Sequence, residues 1–414
     1  MTEVFECNRI QESAGAWAED LHRALSAQEE SITARIYTRP LIRLDRSYIS
    51  ELPDELLAKI FLEVAAESSR HVLSTVKTNK LFHNVAIPLL YNRLELLPGR
   101  AREDMQSLGL SFRRHPQRRG YAREAKLRGS PEHFRSLGQI PVLFSNDAFP
   151  NMKRLHCIRV AVSNLQSLLA ADELSTGTST IEELIFEESE VTNWPAGINA
   201  LMSACKMVRK LVLHWGSGAA ESSSDGEYLQ EAMGSAIARH ATTLETLEFK
   251  PNECQISTNK ENESGSLKDQ LVSFLVLKDL TIHMACFNGG AQTFFNMDQG
   301  QVGNRGLVEY LPPSLERLAL EARPEALADI PSTDTNLECM SLRLQITAIL
   351  HRRDSNNRFP RLKLVQLPEW VDDSAQGRNG EDLPQLKELA RSVGVEIMFK
   401  GKFPSLVNSH NRYR

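Results

Sequence analysis

A six-residue pattern, apolar-x-x-apolar-x-apolar, returns along most of this chain and limits what the chain can fold into. It reads A-R-E-A-K-L at Ala122, M-K-R-L-H-C at Met152, I-E-E-L-I-F at Ile181 and V-R-K-L-V-L at Val208. It continues as L-E-T-L-E-F at Leu244, L-K-D-L-T-I at Leu277, L-E-R-L-A-L at Leu315, L-E-C-M-S-L at Leu337 and L-K-L-V-Q-L at Leu362. Successive starts lie 30, 29, 27, 36, 33, 38, 22 and 25 residues apart. Alternating apolar residues at the end of each copy read as a short strand with one buried side. The runs N-L-Q-S-L-L-A-A-D-E-L from Asn164 and Y-L-Q-E-A-M-G-S-A-I-A-R-H from Tyr228 have helical apolar spacing, so each unit reads as helix then strand.

One helix and one strand cannot bury their apolar sides alone, so neighbouring units stack and share a core. Spacings that bracket a period of about 20 to 29 residues, with insertions in the middle, mark an irregular repeat array, and the array resembles the leucine-rich repeat family. That resemblance implies an α/β fold, an irregular solenoid of helix-strand repeats with a curved parallel sheet, over residues 97–400. No ladder of asparagines follows the strands. The longer intervals hold polar or glycine-rich inserts at Gly216, Pro251 and Gly289 to Gly306, which read as surface loops. The serines Ser222 to Ser224 read as part of such a solvated loop.

Ahead of the array lies a compact apolar stretch, ELPDELLAKIFLEVAAESSRHVLSTVKTNKLFHNVAIPLLYNRLEL, from Glu51 to Leu96. Pro53, Asp54 and Glu55 mark a helix start, because proline costs nothing in a first turn and the helix dipole favours negative charge there. Leu56, Leu57, Ile60, Phe61 and Val64 make a stripe wider than a local core needs. A second helix is predicted around Val72, Leu73 and Val76, and a third around Leu81, Phe82, Val85 and Ala86, ending before Pro88. So small a module buries little surface, which predicts a partner chain over its excess apolar face.

The combination L-P-D-E-L-L-x-x-I-F followed by N-K-L-F-H-N-V-A-I-P-L-L-Y resembles the F-box motif, as seen in fungal proteins, over Leu52 to about Leu94. The resemblance implies a small all-helical module at 49–96 that docks on the Skp adaptor and, through it, on a cullin ligase scaffold. By position, Leu52, Pro53, Leu56, Ile60, Val76 and Phe82 would contact or shape that interface. Phe82 stands where many members carry tryptophan, and Thr78 where a valine is usual.

Residues 1–48 read as a polar leader, partly helical, with Trp17, Leu21 and Leu25 at four-residue spacing, and 401–414 as a tail. A net charge of -5 and a pI near 6.2 provide no basic field, so neither nucleic acid nor an acidic membrane is an expected partner. The arginines Arg113, Arg114, Arg118 and Arg119 form a short cluster that reads as a solvated face rather than a phosphate or acidic-peptide site. Six scattered cysteines with no C-x-x-C predict a reducing compartment. The first twenty residues lack the apolar stretch of a signal peptide, and no 18 apolar residues run together, so cytoplasm or nucleus is expected.

No phosphate-binding glycine loop, zinc-protease motif or nucleophile elbow occurs, and no cofactor or metal is expected. The strand histidines His156, His214 and His283 are several repeats apart, too far to converge on one ion. Cys157 and Cys339 fall in strand patterns and read as packing residues.

These readings combine into a non-catalytic receptor subunit of a ubiquitin ligase whose repeats hold an unidentified protein target. A repeat scaffold that binds the adaptor or another partner without ubiquitin transfer is the alternative. Target contacts are expected from the outward strand positions: Arg154, His156, Glu183, Glu187, Lys210, His214, Thr246, Glu248, Lys250, Asp279, Thr281, His283, Arg317 and Glu321. Their mixed signs predict recognition by charge pattern.

Overall fold

A computed structural model describes residues 52–67, 69–77, 80–96, 101–129, 148–160, 176–189, 194–215, 234–250, 267–283, 307–321, 332–368 and 382–400. The expected leader helix, the run from Asn164, the polar inserts and the tail lie outside them. The chain divides into two compact units, Met1–Ala86 and Ile87–Arg414.

In the first unit, helix α1 spans Asp54–Glu67 and α2 Ser69–Val76, and α3, Lys80–Asn92, begins here. Asp54 and Glu55 open α1 at its positive pole, and the Pro53 carbonyl accepts the amides of Leu56 and Leu57 at 3.0 and 3.1 Å. The sequence predicts that Pro88 ends the third helix; instead α3 runs through it to Asn92. Proline removes the bond to the Asn84 carbonyl, a loss that costs least at an exposed residue such as Asn84. Only Leu57, Phe61, Val72 and Ala86 are buried among this unit's described residues. The Phe61 and Phe82 rings meet edge-on at 5.4 Å.

The second unit is α/β, built on one open sheet of ten strands, all parallel and in chain order. The strands are β1 Arg93–Leu96, β2 Glu124–Arg128, β3 Arg154–Ile158, β4 Glu183–Ser189 and β5 Lys210–Trp215. Then come β6 Thr246–Lys250, β7 Asp279–His283, β8 Arg317–Glu321, β9 Leu364–Pro368 and β10 Glu396–Lys400. Helices α4 Ala101–Arg114, α5 Trp194–Ala204, α6 Leu267–Leu271, α7 Leu307–Tyr310, α8 Ser332–Asn356 and α9 Asp382–Ser392 fall between them.

Eight of the nine pattern copies carry a strand beginning at their third residue. In all eight the three apolar positions are buried, as with Leu244, Leu247 and Phe249, so each strand contributes one side to a core shared with its neighbours. The copy at Leu337 is a correction, because it lies within the 25-residue helix α8. Its continuation buries Leu342, Ile346, Ile349 and Leu350 at three- and four-residue steps, and that longer helical period outweighs six residues of strand-like pattern.

Where the strands begin, the backbone of each repeat clasps the next. The Arg123 carbonyl accepts the amides of Lys153 and Arg154, the Lys153 carbonyl those of Glu182 and Glu183, and the series continues to Glu316, which accepts Lys363 and Leu364. Hydroxyls one residue before a copy add a second clasp. Thr180 Oγ1 donates to the Met152 carbonyl at 2.8 Å, Thr243 Oγ1 to Val208 at 2.9 Å and Ser314 Oγ to Leu277 at 2.8 Å. These bonds give part-buried carbonyls of one repeat a partner from the next.

Candidate functional site

On α1 the apolar residues divide by helical angle. Leu57 and Phe61 face inward, while Leu56 and Ile60, one turn apart on the adjoining side, are 46% and 44% exposed. Leu52 is half-buried, Pro53 exposed, and Val76 and Phe82 half-buried. Phe82 therefore shapes this unit through Phe61 more than it presents surface. Leu62 on α1 and Leu73 on α2, 51% and 48% exposed, were not expected at the surface from sequence. Helical angle places Leu62 away from the Leu56 side, which the one-dimensional pattern does not separate.

In the second unit the parallel register collects the expected outward residues on one face of the sheet. One row across the strands reads Arg93, Glu124, Arg154, Glu183, Lys210, Thr246, Asp279 and Arg317. The next reads Glu95, Lys126, His156, Ile185, Val212, Glu248, Thr281 and Ala319. Beyond it, Glu187 lies beside Ile158, His214 beside Lys250, and His283 beside Glu321.

Much of this charge is answered within the face. Arg154 Nε donates to Glu183 at 2.7 Å, and Arg317 forks onto Asp279, its Nη2 to Oδ2 distance being 2.6 Å. His156 Nε2 stands 3.2 Å from a Glu187 oxygen. At the centre of the sheet Glu248 Oε1 lies 3.0 Å from His214 Nε2 and 2.5 Å from Lys250 Nζ, and the same Nζ reaches Glu321 at 3.1 Å. Burial pushes the Glu248 carboxyl up, yet His214 and Lys250 together outweigh it and hold the group at about 2. Burial likewise works against the Lys250 ammonium, and the two carboxylates overcome it and raise its pKa.

Three members of the middle row, Ile185, Val212 and Ala319, are apolar, contrary to the expectation of a polar wall. Ile185 and Val212, side by side at its middle, are only 8% and 3% exposed and stand apart from the main core. Pattern alone does not flag them, because I-E-E-L-I-F and V-R-K-L-V-L already satisfy it through their other apolar residues. With its charges largely paired and its aliphatic centre buried, the face presents a pattern of ion pairs rather than a bare charge code.

Among the described residues no group of three histidine, cysteine, aspartate or glutamate side chains could hold a metal ion. Cys157 and Cys205 are buried, unpaired thiols; burial raises both, Cys205 to about 12, where a reactive thiolate is not formed. No described helix is long and apolar enough to cross a membrane. Searches against protein-family models, curated proteins and solved structures found no match to this chain.

Proposed function

We propose that this chain is the target-binding subunit of a Skp/cullin/F-box ubiquitin ligase. Its first unit would dock on the Skp adaptor through Leu52, Pro53, Leu56 and Ile60, with Val76 and Phe82 shaping the surface. The carrying observation is the uncovered Leu56 and Ile60 pair on a helix whose own core holds only four buried side chains among the described residues. A core that small stabilises a free-standing unit poorly, and covering two large aliphatic side chains by a partner adds about 1.5–3 kcal/mol each. The order of L-P-D-E-L-L and N-K-L-F-H in the sequence supports the choice of partner.

The sheet unit would hold the protein to be ubiquitinated through the polar face of its strands, with Arg154, Glu183, Glu187, Lys210, Glu248 and Arg317 among the contacts. In this reading the chain supplies no reacting group; it raises the local concentration of target lysines beside the charged conjugating enzyme. The cytoplasm and nucleus, where that machinery works, are the proposed location.

Co-purification of the full chain with the Skp adaptor tests the reading. Leu56→Asp/Ile60→Asp should abolish recovery of the adaptor while leaving the urea midpoint of the chain unchanged. Undiminished recovery would remove the basis for the assignment, and adaptor recovered without any cullin would favour the scaffold alternative.

A further inference from the structure

The residues immediately before the strands carry a second, longer charge ladder, on the lip of the sheet. Lys153 Nζ donates to Glu182 at 2.6 Å, and Glu182 also lies 3.5 Å from Arg209. Arg209 reaches Glu245 at 3.3 Å, and Lys278 donates to that same carboxylate at 2.6 Å. Glu316 accepts from Lys363 at 2.7 Å and is held below the usual carboxylate range by that bond, with Lys278 adding to the effect. From Lys153 to Lys363 the signs alternate without a break, so each charge has an opposite one beside it.

The alternation fails at one end. The residue before Lys153 in this row is Arg123, a second cation, and the one before that is Asn92, whose contribution is a carbonyl accepting the Arg123 amide at 2.9 Å. Among the described residues no carboxylate pairs with the exposed Arg123 side chain. The chain leading into β2 adds to the imbalance, because from Arg113 to Arg123 there are five arginines and no acid. Arg113 and Arg114 are exposed in the last turn of α4, and Arg119 is half-exposed in the turn that follows. Arg118 is engaged within the fold, where its Nη1 donates to Tyr91 Oη at 3.0 Å and Ser111 Oγ at 2.9 Å and so pins the turn. The first acid, Glu124, points onto the sheet face, where Arg93 lies 3.8 Å away.

We propose that Arg113, Arg114, Arg119 and Arg123 form a docking surface for a short acidic segment of a partner protein, whose carboxylates extend the ladder past its last cation. Guanidinium groups bind carboxylates through paired hydrogen bonds, and four presented within eleven residues from a helix end, a pinned turn and the start of a strand suit a compact acidic stretch. A long polyanion such as nucleic acid suits the surface less, because beyond a Debye length it meets a chain carrying a net -5. This site does not depend on the proposed ligase role and lies in the other compact unit from Leu56 and Ile60.

Fluorescence anisotropy on the full chain at low salt tests the assignment, with fluorescein-labelled octaglutamate as the probe and an RNA octanucleotide as the competing class. Arg113→Ala/Arg114→Ala/Arg123→Ala should weaken octaglutamate binding by about tenfold or more, and Arg123→Glu alone by a similar factor. Lys278→Ala/Lys363→Ala, which removes cations from the balanced part of the ladder, should change it by less than about twofold. Absent binding of octaglutamate, equal losses in the arginine and lysine variants, or tighter binding of the RNA would each overturn the proposal.

Discussion

Lys250 on β6 and Glu321 on β8 form an ion pair of 3.1 Å that reaches across β7. Since the ammonium also binds Glu248, one cation ties two half-buried carboxylates on strands that share no ladder. Lys250→Met keeps the stem and removes the charge, leaving both carboxylates without it. We expect a loss of about 1–2 kcal/mol, discounted for the partial exposure of all three groups. Urea unfolding would show this as a lower midpoint at unchanged slope, whereas an unaltered midpoint would mean that solvent already screens the cluster.

The same cluster sets an acid limit. Glu248 is held at about 2, below its ordinary 4.5. Its folded-state pKa is depressed, so its stabilising contribution is complete above the unfolded value and lost as pH falls from 4.5 toward 2. Glu248→Gln should flatten that part of the stability profile, read by thermal unfolding between about pH 5 and 2.5; an unchanged slope would contradict the pairing.

His240 bridges two repeats in one tautomer. Its Nδ1 accepts the Val208 amide at 3.3 Å, so the proton sits on Nε2, which donates to the Met202 carbonyl 2.9 Å away. Burial pushes its pKa below 6.5, a displacement that the Met202 bond only partly opposes and that the nearby Arg239 charge reinforces. The stability tied to neutral His240 is present above 6.5 and falls as the solution becomes more acidic. His240→Gln should reduce the drop in melting temperature between about pH 7.5 and 5.5, and an equal drop in both proteins would refute this.

The hydroxyl clasps act one repeat at a time. Thr243→Val removes the bond to the Val208 carbonyl at almost constant volume and should cost about 1 kcal/mol. Thr180→Val should cost as much, and the two changes should add, because the sites share no partner. A non-additive pair would show that the repeats communicate through this row.

Gly129 follows β2 where a Cβ would stand 1.7 Å from the Arg159 carbonyl oxygen. Backbone cannot yield there as a side-chain tip would, so Gly129→Ala should cost several kcal/mol, about 3 or more, and reduce soluble yield sharply. Wild-type expression and melting would show that the strand ends part easily.

The repeat core was legible because three apolar positions in six residues report a buried strand whichever residues fill them: Ala125 and Leu247 occupy the same place with different volumes. The pattern was blind where one of its positions is filled unusually. Y-N-R-L-E-L from Tyr91 fits it and contains β1, yet it sits inside the segment resembling the F-box close. At β10 the first position is Gly394, whose φ of +69° makes the turn out of α9. Strand alternation places Glu248, Lys250 and Glu321 on one face, but their convergence depends on the register between strands far apart in the chain. The lip ladder escaped for the same reason: Lys153 and Glu182 are 29 residues apart, and only the stacking makes them neighbours.

Strand order that follows chain order has a consequence for how such a molecule can change. Because β5 touches β4 and β6 and no other strand, melting can start at either border and advance like a zip, and an added or deleted unit disturbs only two seams. The varied lengths of the connections mark where growth costs the sheet nothing.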